Sequence, residues 1–157
     1  MEKVGIVPYA DWTFVYWTEG KDIVRTLLDI DAKPVPTTRV YDKVFRNYFN
    51  TGNIEEMPPF KITGVTKNQY RLLMTLYKNW DSVLTYGELA KKAGFPNGGR
   101  FAGSCMAINP LPLIVPCHHV IGIKNAFKFT GDANIKKYML TIERRMDDVW
   151  KKLKIKR

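Results

Sequence analysis

The sequence predicts an α/β chain of the segregated α+β kind, in two domains. Residues 1–60 read as a small antiparallel sheet with one covering helix, a scaffold domain. Residues 61–157 read as a winged-helix-like domain built on a helix-turn-helix. Three observations point there. Strand-length apolar pieces cluster ahead of Ile30, and helical spacing with two capping boxes dominates after Thr66. Charge also divides between the halves: residues 1–60 hold 7 Lys/Arg against 9 Asp/Glu, and residues 61–157 hold 18 against 6.

Residues 3–9 (KVGIVPY) and 12–18 (WTFVYWT) alternate or run apolar, with Asp11 near a turn and Glu19-Gly20-Lys21 as a hairpin signal. A third strand follows at 22–29, and Ala32 to Pro36 is a proline-marked loop. From Thr38, the residues Val40, Tyr41, Val44, Phe45, Tyr48 and Phe49 fall at helical spacing, with Gly52 just past the end. Residues 50–63 read as the linker.

Beyond it, Thr66 to Gln69 fits a capping box, and Tyr70, Leu73, Tyr77 and Trp80 stripe the helix that follows. Thr85-Tyr86-Gly87-Glu88 is a second box. It opens a short helix with Leu89, Ala90 and Ala93 facing inward, ended by Gly94. Residues 95–99 turn, and a third helix runs from Arg100 to Ala107. Two short helices across a glycine-containing turn suggest a helix-turn-helix. The second helix lacks Asn, Gln and Lys to read base edges; Ala102, Gly103 and Ser104 suit close approach to a groove, or tight packing against a neighbour. Near the end, Asp132 caps a long helix with Ile135, Tyr138, Met139, Ile142, Met146, Val149 and Leu153 on one stripe. Glu143 sits at the stripe's edge, as a surface group or a buried partner.

A chain of 157 residues that is 45% hydrophobic, with mean hydropathy −0.25, is a globular protein and not a disordered one. No stretch approaches the roughly 20 apolar residues of a membrane-spanning helix, so no membrane partner is expected. The start lacks the apolar core and cleavage site of a signal peptide, and two cysteines build no disulfide framework. A cytoplasmic protein is the expectation, nucleoid-associated if the source is prokaryotic. Removing residues 151–157, which contribute +5, still leaves +7 on the second half. That basic half fits nucleic acid as partner.

The chemistry concentrates in Asn109-Pro110-Leu111-Pro112-Leu113-Ile114-Val115-Pro116-Cys117-His118-His119-Val120. Everything from Leu111 to Pro116 is aliphatic or proline. The run is too short to span a membrane and too proline-rich for a helix interior, so it reads as a buried extended arm. The arm delivers a thiol beside an imidazole, a candidate activated nucleophile. His118, His119 and two cysteines match no zinc spacing, and Gly98-Gly99 is no phosphate cradle; neither metal nor cofactor is expected.

With its flanks, this arm closely resembles the active-site signature of the O6-alkylguanine-DNA alkyltransferases: Asn-Pro, a short apolar run, then Pro-Cys-His-Arg-Val. The resemblance extends over about residues 66–146. It implies DNA repair by irreversible, single-turnover transfer of an alkyl group, chiefly methyl, from O6-alkylguanine to Cys117. His118 would accept the thiol proton, and Glu143 would hold the imidazole's tautomer. A water would bridge histidine and sulfur. The resemblance further implies a hinge role for Asn109, although a turn asparagine before proline also fits. Tyr86 would donate to the guanine ring, Arg100 would replace the extruded base in the stack, and Met106 would line the pocket or pack in the core. The main chain at Cys117 and Val120 would accept from the exocyclic amine, and Thr130 would sit beside the alkylated oxygen. The partner implied is duplex DNA carrying O6-alkylguanine, held through the minor groove without sequence preference by a monomer.

The sequence departs from the pattern at His119, where arginine is usual, at Phe129, where tyrosine is common, and at Asp132, usually glycine. The loop 123–131 is also one residue shorter. The alternative reading is a non-catalytic binder of alkyl lesions, against which Cys117 argues. A helix-turn-helix regulator fits the side-chain-poor helix badly. A papain-like hydrolase would need a histidine beyond His119.

Overall fold

The computed structural model describes residues 3–9, 12–29, 39–127 and 133–154. Asp11, the loop Ala32 to Pro36, Phe129, Thr130, Asp132 and the last three residues lie outside them. The chain divides into two units, residues 1–64 with Pro110–Pro112, and residues 65–109 with 113–157.

In the first unit, β1 (Lys3–Tyr9), β2 (Trp12–Glu19) and β3 (Asp22–Asp29) form an antiparallel sheet in that order, as the strand patterns and the Gly20 turn require. Gly5 stands opposite Tyr16, and a Cβ there would come within 2.0 Å of the tyrosine ring. Residues 59–61, expected in the linker, instead run beside β3: Ile23 N–H donates to Pro59 and Lys61 N–H donates to Ile23. Thr26 reaches the other inserted piece, its N–H donating to the Pro110 carbonyl and its hydroxyl to that of Pro112. The helix α1 (Asp42–Thr51) starts later than its apolar spacing suggests, and Val40 is 79% exposed. Asp42 explains the start. Its carboxylate accepts from Tyr16 Oη at 2.6 Å and from the Arg39 N–H at 3.0 Å, anchoring the first turn to the sheet. Phe14, Tyr16, Phe45, Tyr48 and Phe49 then close an aromatic core.

In the second unit, α2 (Lys67–Lys78) and α3 (Tyr86–Lys92) each begin with both halves of the expected capping box in place. The buried stripe of α2 is Leu72, Leu73 and Leu76; Tyr70 is 46% exposed, so of the expected stripe only Leu73 is fully buried. The turn after α3 places Gly94 at φ +89°, a left-handed conformation that suits glycine. It leads into α4 (Gly99–Ala107). Short strands β4 (Leu84–Thr85) and β5 (Val120–Ile121) pair in parallel and tie the arm's end to the start of α3.

The single long C-terminal helix expected from the sequence is two: α5 (Ala133–Ile142) and α6 (Met146–Leu153). Arg144 takes φ +60° between them, and the Arg145 N–H returns to the Leu140 carbonyl, which ends α5. Val149 of α6 joins Val83, Ile121, Ala126 and Leu140 in a satellite core. Among the described residues, no helix is long and apolar enough to cross a membrane.

Candidate active site

Leu113 to Val120 are all buried, Cys117 at 5% exposed and the rest apart from Pro116 at 0%. An apolar run without regular pairing leaves buried carbonyls that need donors. Asn109 Nδ2 supplies one to Val115 at 2.9 Å, and Trp80 Nε1 supplies one to Ile114 at 3.0 Å. Leu113 sits at φ +80°, strained for a leucine, and packing holds it there. The extended reading fails at the end of the arm. Cys117–His119 form one turn of 3₁₀ helix, with the His119 N–H donating to Pro116. Strand alternation is thereby broken.

That turn, with the end of α5, gathers a buried polar cluster. His118 Nε2 lies 2.5 Å from Glu143 Oε2, and His119 Nε2 lies 2.5 Å from Glu143 Oε1. The histidine side chains are 0% exposed and that of Glu143 1%, which decides between the two readings of Glu143 in favour of a buried partner. Burial opposes ionisation of this carboxyl, but the electrostatic influence and hydrogen bond of His118, with the hydrogen bond of His119, outweigh it and hold its pKa well below the ordinary range. An ionised carboxylate only accepts, so both Nε2 atoms are assigned as donors, and a neutral ring bound this way keeps its lone pair on Nδ1. Neither Nδ1 has a hydrogen-bonding partner among the described residues. Burial, aided by the neighbouring His118, pushes the His119 pKa down, so this ring stays a neutral donor. Arg145 closes the cluster. Its Nε donates to Glu143 Oε1 at 2.8 Å, Nη1 donates to the Asp81 carbonyl at 3.0 Å, and the guanidinium lies 5.7 Å from the Trp80 ring centroid. The Trp80 ring stands edge-on to both imidazoles.

The sequence reading considered only histidines and cysteines as metal donors and so found no set. The fold adds Glu143, and one donor atom each of His118, His119 and Glu143 lie within 4.8 Å of one another. A guanidinium already occupies that carboxylate, and both imidazoles hydrogen-bond to it directly.

Cys117 is a free thiol, as is buried Cys105. Burial pushes the Cys117 pKa up, while a hydrogen bond from the Asn109 side chain, the charge of Lys136 and backbone hydrogen bonds pull it down. Lys136 escaped the sequence reading. Its Nζ donates to the Val120 carbonyl at 2.5 Å from a side chain buried to 1% exposure. The available signal was its position three and four residues before buried Met139 and Leu140. Tyr86 is half-buried, and burial followed by the nearby Cys117 charge raises its phenol pKa. Arg145 and Trp80 were also missed as members of the site, because they reach it through a turn and an indole edge.

On α4, Arg100 and Ser104 are exposed and Gly103 is half-buried, while Met106 is half-buried too. Ala102 is fully buried and leaves the expected DNA-facing set, since the helix turns its Cβ toward the core. Gly103 has open space where a Cβ would project, so nothing among the described residues requires glycine there. Phe129 and Thr130, expected in the substrate pocket, lie outside the described residues.

Residues 79–145 match the family model described as the 6-O-methylguanine DNA methyltransferase DNA-binding domain. The methylated-DNA–protein-cysteine methyltransferase of Pyrococcus furiosus is 37% identical over 105 residues, 65% of this chain and 59% of that protein. The chain thus spans under two thirds of that relative's length. The Thermococcus barophilus protein of the same name is 34% identical over 151 residues, covering 90% of this chain and 84% of its own. Among solved structures, Mycobacterium tuberculosis O6-methylguanine methyltransferase superposes with a TM-score of 0.78 at 22% identity, over 92% of this chain and 93% of that one, which establishes a shared fold. By its similarity along nearly its whole length, this chain belongs to the methylated-DNA–protein-cysteine methyltransferase family.

Proposed function

We propose that this protein repairs O6-alkylguanine in duplex DNA, chiefly O6-methylguanine, by transferring the alkyl group irreversibly to Cys117. The observation that carries the reading is a thiol at the end of a buried arm, next in sequence to an imidazole whose Nε2 rests 2.5 Å from a buried, ionised carboxylate. Such a pair serves to take a proton from a thiol and stabilise the resulting charge.

The balance is as follows. The Cys117 S–H proton passes to Nδ1 of His118, directly or through solvent. The thiolate attacks the alkyl carbon, an S–C bond forms, and the C–O6 bond breaks with its electron pair going to guanine. Guanine takes a proton from the Tyr86 hydroxyl, which His118 then restores. The products are guanine and S-alkyl cysteine. The S-alkyl cysteine is a stable thioether with no leaving group that returns the thiol, so each molecule acts once. Transfer requires the nucleotide to leave the stack. Exposed Arg100 is the candidate to fill the gap, and the open space at Gly103 beside exposed Ser104 supports close approach to the minor groove. The +12 charge of residues 61–157 supports binding through phosphates without sequence preference. A monomer meets these needs, with residues 1–60 as scaffold, in the compartment that holds the DNA.

The test is intact mass after incubation with duplex DNA containing O6-methylguanine. The expected product is one adduct of about 14 Da per molecule, a methyl replacing hydrogen on the nucleophile, mapping to Cys117 and absent from Cys117→Ser. Unmodified protein that still prefers the lesion duplex would instead make the chain a lesion reader.

A further inference from the structure

We infer that His119 is a positioning residue for alkyl transfer: it and His118 grip opposite oxygens of one carboxylate, and the His118–Glu143–His119 unit keeps the proton-accepting ring aligned. This rests on the reading of Cys117, His118 and Glu143 given above. The two Nε2–O distances are both 2.5 Å, and the three side chains are 0%, 0% and 1% exposed. Bulk water therefore does not compete for the carboxylate.

A carboxylate held at one oxygen only is free to rotate about its terminal torsion, which is broad and roughly two-fold. Here Oε1 receives His119 Nε2 and Arg145 Nε, at 2.5 and 2.8 Å, leaving Oε2 to His118. The plane of the carboxylate is thus set by donors to the oxygen that the reacting histidine does not use. His119 is itself packed, with its ring edge-on to Trp80 at 4.6 Å and tilted against His118 at 4.2 Å between centroids. Second partners of this kind orient a functional imidazole and tune its basicity.

The charge arrangement explains why a neutral donor suits this position. Arg145 already places a permanent cation on Oε1, with Asp81 behind it. Lys136 and Tyr86 interact electrostatically with Cys117. When His118 takes the Cys117 proton, a positive charge forms against Glu143. An arginine at 119 would set a further fixed cation beside it, whereas His119 donates a hydrogen bond and adds no charge.

The test compares His119→Phe, which keeps a ring but no donor, His119→Arg, which adds charge, and His119→Gln, which keeps a neutral N–H donor. Cys117 reactivity is followed with iodoacetamide across the histidine and cysteine titration range, with the adduct mapped by mass, alongside single-turnover methyl transfer from O6-methylguanine duplex. Losing the donor makes Glu143 more basic and stabilises charged His118, so His119→Phe should move the acid limb to higher pH and slow Cys117 by about tenfold or more. His119→Arg should move the limb to lower pH, and His119→Gln should recover most of the loss. A merely structural histidine would give no such opposed shifts.

A His119→Phe protein with wild-type melting, rate and acid limb overturns the inference. So do Phe and Arg variants whose limbs move in the same direction. Because iodoacetamide reads Cys117 without DNA, wild-type protein that fails to accept methyl overturns the repair reading separately.

Discussion

Lys136 is itself only 1% exposed, and its charge acts on the buried thiol of Cys117. Burial pulls the lysine down to about 8, while the Cys117 charge works to keep it protonated. The same attraction, seen from the sulfur, opposes the desolvation that disfavours the thiolate. Lys136→Met should therefore raise the thiol pKa and move the alkylation profile of Cys117 to higher pH, each unit of displacement removing about tenfold of the thiolate at neutral pH. An unchanged iodoacetamide profile would remove Lys136 from this account. Stability carries its own signature at this scale. Both His119 and Glu143 are held below their ordinary pKa values, so as pH falls below about 6.5 the unfolded chain binds protons that the folded chain refuses. Stability present above that pH is lost on acidification, first through the histidine range and then through the carboxylate range. Urea midpoints measured against pH should show the decline, and His119→Phe should flatten its upper part.

Among the elements, α4 carries the proposed approach to DNA. A glycine inside a helix costs about 1 kcal/mol relative to alanine, and Gly103 stands where a Cβ would meet nothing among the described residues. Gly103→Ala should therefore raise the melting temperature while weakening binding to duplex DNA; unaltered DNA affinity would mean that α4 does not approach a groove there. The two capping boxes were legible because each is a contact across three residues, Thr66 with Gln69 and Thr85 with Glu88. The break between α5 and α6 was not. Residues 135–153 keep an unbroken apolar repeat, and the left-handed turn at Arg144 accompanies the reach of Arg145 to Glu143 and Asp81. Likewise the α2 stripe settles on Leu72, Leu73 and Leu76 because neighbouring elements, not the aromatic spacing, choose the buried face.

For the whole molecule, charge is the property that composition alone reports. The second half carries +12 and the first −2. If phosphates supply most of the affinity, log K should fall linearly with log salt by about 0.9 for each phosphate neutralised. Duplexes of unrelated sequence should share that slope, measured by titration at several salt concentrations. A slope near zero would leave the basic surface without its proposed partner. The two-unit division is less local than sequence composition suggests: residues 59–61 edge the first sheet, and Pro110–Pro112 belong with Thr26 although their neighbours on both sides belong to the second unit.

The sequence by itself determined the strands, the capped helices, the apolar arm and the identity of the thiol and imidazole, because each is written in neighbouring residues and short repeats. Only the tertiary structure decided that Glu143 is buried between two histidines, that Arg145 and Trp80 close over it, and that the charge of Lys136 acts on the thiol. The physical reason is desolvation. A charged side chain near an apolar stripe is stable at the surface on its own, but inside the protein it needs partners, and those partners arrive from residues far apart along the chain.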